Sequence, residues 1–198
     1  MLNNFEKAFE KKITFIKKQI QNLELNFILS TDFGSSLANY RQNIRKNMED
    51  NYSYCFNRQQ LANLADLNLL PQASEGFFSI SHTQNLGGFS FSNFKHGFDL
   101  ENSDRISKNI ILRTSSEAEV LAAPDAKFLW VAKEAALKGM ANLRDEYILT
   151  DFICEGWQSH SGNDVFSYRI NSKKTLDFSH NKGFVFSEKD ILYSIFYK

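Results

Sequence analysis

The chain has 198 residues, of which 42% are hydrophobic and 23% charged, with 19 phenylalanines and only 2 prolines. That is one large domain or two small ones with ample apolar material for a core, which excludes global disorder. Lysine plus arginine (23) equals aspartate plus glutamate (23), and a net charge of zero argues against a dedicated nucleic-acid binder, which needs a basic excess.

The two cysteines, Cys55 and Cys154, form no CxxC pair and have no zinc-ligand spacing, so neither a disulfide framework nor a structural zinc is expected. The polar start, Met1 to Lys7, is unlike a signal peptide, and no uncharged apolar run approaches a membrane span. The expectation is a soluble cytoplasmic protein with free thiols.

In chain order, Phe5, Phe9, Ile13, Ile16, Ile20 and Leu23 make one apolar stripe and predict a helix from Asn4 to Leu25. A second helix is predicted from Ser35 to Met48, carrying Arg41, Arg45 and Lys46. Asn57 has the chemistry of an N-cap for a third, which carries Arg58 and Leu61. The texture changes at Gly76. Phe78 and Ile80, then Phe89 and Phe91, alternate with small polar residues, the period of strands. Gly87-Gly88 marks the turn, and a third strand covers His96 to Glu101. Helical signals return from Ser116 to Ala123 and from Ala126 to Met140, the latter behind the capping Asp125. Strands are expected at 147–154, 164–170, 183–187 and 191–197. Helices followed by strands thus occur twice, which predicts an α+β fold with two similar halves, residues 1–95 and 96–198, rather than a doubly wound parallel sheet.

Three segments could carry chemistry. In Gly97-Phe98-Asp99-Leu100-Glu101, the two acids are separated by one residue. On a strand they share a face about 7 Å apart, which suits a hard divalent cation but also describes ordinary solvated acids. In the helix Trp130-Val131-Ala132-Lys133-Glu134-Ala135-Ala136-Leu137-Lys138, Glu134 and Lys138 share a face. They could serve metal or proton transfer and phosphate binding, or simply form a stabilising ion pair of about 0.2–0.5 kcal/mol. Ser81-His82, at the end of a strand before a glycine-containing turn, could contact a phosphate.

Taken in this order, the segments resemble the 4'-phosphopantetheinyl transferases. Members of that family show a Ser-His pair ending a strand, a Gly-x-Asp-x-Glu strand and a Trp-x-x-Lys-Glu-Ala-x-x-Lys helix. Here these are Ser81-His82, Gly97 to Glu101 and Trp130 to Lys138. The resemblance covers about residues 76–152, with Phe98 standing where the family usually has isoleucine or valine. The Asp-Leu-Glu form, preceded by some 95 residues, is similar to the larger, surfactin-synthetase-activating type.

The resemblance implies two α+β halves related by pseudo-two-fold symmetry, with the site between them, and a magnesium-dependent transferase acting as a monomer. It would move the 4'-phosphopantetheine arm of coenzyme A onto a serine of an apo acyl or peptidyl carrier protein and release adenosine 3',5'-bisphosphate. Asp99, Glu101 and Glu134 would hold the magnesium, and Glu134 would also be the base. Lys133 and Lys138 would bind the pyrophosphate, and Ser81 and His82 the coenzyme A phosphates. Arg41, Arg45 and Arg58 are candidates for the 3'-phosphate. The alternative is a non-catalytic module of the same fold that binds coenzyme A or a carrier protein.

Overall fold

The computed structural model describes residues 4–140, 146–174 and 180–198. Its helices in chain order are α1 (Asn4–Gln19), α2 (Tyr40–Tyr52), α3 (Arg58–Asn63), α4 (Lys108–Thr114), α5 (Glu117–Ala122) and α6 (Ala126–Gly139). Its strands are β1 (Leu25–Ser30), β2 (Phe77–His82), β3 (Gly87–Ser92), β4 (His96–Asn102), β5 (Phe152–His160), β6 (Val165–Ser172), β7 (Lys182–Glu188) and β8 (Ile191–Tyr197). The fold is α+β with two sheets, as expected, and every described strand pairing is antiparallel.

The chain divides into two compact units, residues 24–95 and residues 1–23 with 96–198. One boundary between the units falls after residue 95. The first helix, however, belongs with the later strands rather than with an N-terminal half. Its apolar stripe explains this. Phe9 meets the rings of Phe186 and Tyr193 at 5.7 and 5.2 Å, and Ile13 and Ile16 are buried beside it. Lys12, on the next position round the helix, is buried too. Its ammonium donates to the Glu188 carboxylate at 2.6 Å and to the Ser187 carbonyl at 2.9 Å. The helix stops at Gln19, short of the predicted Leu25, and Leu25 instead opens β1. The side chain of Phe5, first in the predicted stripe, lies outside the described residues.

The smaller unit is a three-stranded sheet in the order β1-β3-β2, with α2 and α3 between β1 and β2 in the chain. Ile44, Met48 and Tyr52 fall at steps of four on α2 and are buried against the sheet. The Tyr52 ring packs on Phe78 and Phe91 at 5.4 and 5.1 Å, and Phe56 stacks on Phe78 at 5.2 Å. Asn57 caps α3 as expected, in a reciprocal box with Gln60. Strand β1 was not foreseen, because Leu25-Asn26-Phe27-Ile28-Leu29 has no clean alternation of apolar and polar residues.

In the larger unit the sheet order is β4-β8-β7-β6-β5. Helix α6 covers one face with Phe128, Leu129, Val131, Ala132, Ala135 and Ala136, all buried in one cluster with Val185 and Phe196. Strand β7 alternates, so Phe186 faces α1 while Val185 faces α6. The unforeseen helix α4 is capped by Ser107, whose hydroxyl accepts from the Ile110 N–H. It is only seven residues long, too short for a helical period to stand out. The predicted strand at 147–154 is a short 3-10 turn, 149–151, followed by β5 from Phe152.

The two units share a plan. In each, a strand leads into helices, the helices lead into antiparallel strands (β2 and β3 in the smaller unit, β5 to β8 in the larger, which also carries α1), and the last of these pairs with the first strand. That pair is β3 with β1 in one unit and β8 with β4 in the other.

Candidate functional site

The carboxylates of β4 and the helix α6 come together because of glycine. A Cβ at Gly97 would stand 1.9 Å from the Ala135 carbonyl oxygen and 2.4 Å from the Gly139 nitrogen. Only a hydrogen at this position lets the helix backbone lie directly on the strand. A second close approach stands two strands away. A Cβ at Gly183 would stand 2.1 Å from the Tyr168 ring, which crosses over that position to hydrogen-bond Ser194 at 2.8 Å.

Two residues beyond Gly97 on the same face, Asp99 is 5% exposed. Its Oδ1 accepts from the Lys138 ammonium at 2.6 Å. These residues lie 39 positions apart, and they join the acidic strand to the lysine–glutamate helix. Glu101 follows on the same face, half-buried, and accepts from its neighbour's Asn102 N–H at 2.9 Å and from Arg105 at 3.4 Å. Burial raises the Glu101 carboxyl above its ordinary range, and the charge of Asp99 adds to that. The Asn102 N–H, Arg105 and Lys138 act the other way without cancelling it.

Glu134 sits on α6 one turn before Lys138, half-buried. Among the described residues no three histidine, cysteine, aspartate or glutamate side chains stand close enough to hold a metal ion. The expected trio of Asp99, Glu101 and Glu134 is therefore not gathered. Asp99 and Glu101 share one face of β4, and the charge of Asp99 helps raise the Glu101 carboxyl, a repulsion that a hard divalent ion would relieve.

Lys133 corrects the expectation. It was assigned to the pyrophosphate, yet its side chain is fully buried. Neighbouring residues on a helix point about 100° apart, so Lys133 faces inward where Glu134 does not. Its ammonium donates to Glu119 Oε1 at 2.8 Å and to the Thr114 carbonyl at 2.6 Å. Glu119 in turn accepts from the Cys154 N–H at 3.0 Å and from the Ser116 N–H at 2.9 Å. Burial works to raise the Glu119 carboxyl, but these donors outweigh it and leave the group below its ordinary range. Lys133 thus ties α4, α5, α6 and β5 together.

In the smaller unit, Ser81 and His82 are consecutive on β2, so their side chains project to opposite faces of the sheet. Ser81 is buried and His82 exposed. They do not make one paired side-chain site. His82 faces α2, where its ring meets Tyr40 edge-on at 4.7 Å and its Nε2 lies 3.3 Å from the Tyr40 hydroxyl. Arg41 donates its Nε–H to the same hydroxyl at 3.0 Å. Arg45, one turn further along α2, is half-buried and donates to the Leu69 carbonyl at 2.6 Å. Burial lowers its guanidinium pKa and the charge of Arg41 adds to this. Its other terminal nitrogen, Nη1, is buried without a partner. The structure thus places Arg41, Arg45 and His82 in one unit around α2. Arg58 opens α3 and is exposed, and among the described residues no hydrogen bond or ion pair joins it to them.

Three residues of these clusters were missed in the sequence. Glu119 was legible, since Ser116-x-x-Glu119 is a capping box before an apolar run. Arg105, four positions after Glu101, had the spacing of an ion pair, though only within a helix. Tyr40 had no signal at all, because its partner lies 42 positions away.

No protein-family model matches the chain, and no curated protein matches it.

Proposed function

We propose that the protein is a magnesium-dependent 4'-phosphopantetheinyl transferase of the cytoplasm, which modifies a serine of an apo carrier protein with the arm of coenzyme A. One observation carries this reading. The Asp99–Lys138 contact at 2.6 Å unites the Gly-x-Asp-x-Glu strand with the Lys-Glu-x-x-x-Lys helix, the two segments on which the resemblance chiefly rests. Supporting it, each unit has a strand followed by helices and then antiparallel strands, the last of which pairs with that first strand. Among the described residues no helix is long and apolar enough to cross a membrane.

Cleaving the coenzyme A pyrophosphate requires neutralised charge and a positioned hydroxyl. Asp99 and Glu101 would hold the magnesium, with Glu134 on the helix beside them. When bound, the ion would supply charge neutralisation to the pyrophosphate. Lys138, already resting on Asp99, turns its ammonium to the pyrophosphate. Glu134 takes the proton of the carrier serine. The serine oxygen forms a bond to the pantetheine-side phosphorus as the bridging P–O bond breaks, and adenosine 3',5'-bisphosphate leaves. His82, Arg41 and Arg45 meet the coenzyme A phosphates. Lys133 acts only by holding α6 in place.

A second reading is a non-catalytic module binding coenzyme A or a carrier protein. It is favoured by the same contact read differently, since Lys138 already neutralises Asp99. Incubation with coenzyme A, magnesium and apo carrier proteins separates the two. Mass spectrometry of the carrier should show addition of the phosphopantetheine mass. Binding without any such addition would favour the second reading.

A further inference from the structure

We propose that Tyr168 is a positioning residue, whose buried hydroxyl sets the place of α6 over β4 so that Lys138 meets Asp99 on the acidic strand. Its bearing on the reaction rests on the transferase reading, whereas the placing of the helix does not. Gly97 lets α6 come close, yet a missing side chain exerts no hold, and apolar contact has no direction. A directional bond is needed to keep the helix from sliding along the strand, and Tyr168 supplies one. Its phenol starts from β6, crosses Gly183 of β7 and donates to the Ala132 carbonyl of α6 at 3.3 Å. The same oxygen lies 2.8 Å from Ser194 Oγ on β8.

Both partners are placed where they matter. Ala132 precedes Lys133 and Glu134 on the helix that also carries Lys138. Ser194 is the residue in register with Asp99 across the β4–β8 pair. One phenol oxygen therefore joins the backbone of that helix to the strand position facing Asp99, whichever of the two hydroxyls donates to the other. The ring itself is held. It is 1% exposed, and the Trp157 ring of β5 lies against it at 5.2 Å. Burial pushes the phenol well above its ordinary pKa, and the Cys154 and Asp99 side chains add to this, so the hydroxyl keeps its proton within electrostatic reach of the Asp99 carboxylate. A phenylalanine would fill the same space without the bond, which makes the hydroxyl the element to test.

The test is a double-mutant cycle on the full chain, read by urea unfolding with no ligand and no activity required. Lys138→Met removes the ammonium that rests on Asp99, and Tyr168→Phe removes the hydroxyl while keeping the ring. If the hydroxyl places the helix, that contact is already weakened in Tyr168→Phe. Lys138→Met should then raise the unfolding constant by a factor about fivefold smaller there than in the wild-type background. Lys12→Met is the control, since its ion pair with Glu188 lies on the α1 side of the sheet, and its effect should be equal in both backgrounds. Should Tyr168→Phe not fold, Ser194→Ala carries the same cycle, because it removes the anchor on β8 and leaves the phenol in place. A Lys138→Met effect unchanged by loss of the hydroxyl overturns the proposal. So does an equal coupling to Lys12→Met, which would mean that the hydroxyl stabilises the fold at large. With coenzyme A, magnesium and an apo carrier, Tyr168→Phe should transfer about tenfold more slowly than wild type, and full speed in that variant also overturns the proposal. A cycle that shows the coupling in a protein that modifies no carrier leaves the positioning standing and removes the transferase reading.

Discussion

Asp99 concentrates the chemistry of the larger unit in one carboxylate. It is buried, it touches Lys138, and it pushes on Glu101. Asp99→Ala should abolish phosphopantetheine transfer while the protein stays folded, and normal turnover of that variant in magnesium would remove the metal assignment. Glu134→Gln preserves shape and hydrogen-bonding capacity but not basicity, so its rate should fall by orders of magnitude at an unchanged melting temperature. Lys133 should behave in the opposite way. Lys133→Met leaves the buried Glu119 charge unbalanced, at a cost of about 3–5 kcal/mol, and removing both charges with Glu119→Leu should recover part of it. The pH dependence separates these cases. In wild type, Glu119 lies below its ordinary range, so its contribution is complete above that range and fades as the pH falls through the lowered value. In Lys133→Met the chief lowering partner is gone, and burial raises the carboxyl. Acid should therefore stabilise that variant relative to neutral pH, as urea titrations across pH would reveal.

At the scale of elements, the approach of α6 to β4 is decided by Gly97. A methyl group there meets backbone on two sides, at 1.9 and 2.4 Å, and backbone cannot rotate away as a side chain can. Gly97→Ala should cost about 1–3 kcal/mol or more by denaturant titration, and should loosen the Asp99–Lys138 contact with it. Gly139, on the facing helix, is the control. Its added methyl would meet the Gly97 backbone nitrogen and the Phe196 ring at 3.1 Å, a tight contact that offsets the preference of about 1 kcal/mol for alanine over glycine in a helix. Gly139→Ala should therefore change stability little. A large loss at Gly139 with none at Gly97 would mean that the helix, not the strand, sets the separation.

At the scale of the whole molecule, one chain carries both sets of side chains used in the proposed reaction, the basic set in residues 24–95 and the acidic set beyond residue 96. The expectation is that one chain is the active unit. Light scattering at assay concentrations should give the mass of a single chain, and specific activity should hold constant on dilution. A trimer whose activity disappears on dissociation would show that the site is shared between copies.

What the sequence determined by itself is what local physics controls. The stripe of Phe9, Ile13 and Ile16, the Asp125 cap before α6, and the alternation of Phe89 and Phe91 each act within one element, through helical period, capping or pleat. They located α6 to within a residue of its end and placed Asp99 and Glu101 on one face. Strand β1 and helix α4 escaped because a strand with mixed texture and a seven-residue helix are held by their neighbours rather than by their own pattern. Only the tertiary structure decided the partners. That α1 packs with the last strands, that Lys133 is buried on Glu119 while Lys138 reaches Asp99, and that Tyr40 grips His82 all depend on side chains brought together over tens of residues. Residue spacing carries no record of such pairs, because the packing that creates them exists only once the sheets have closed against their helices.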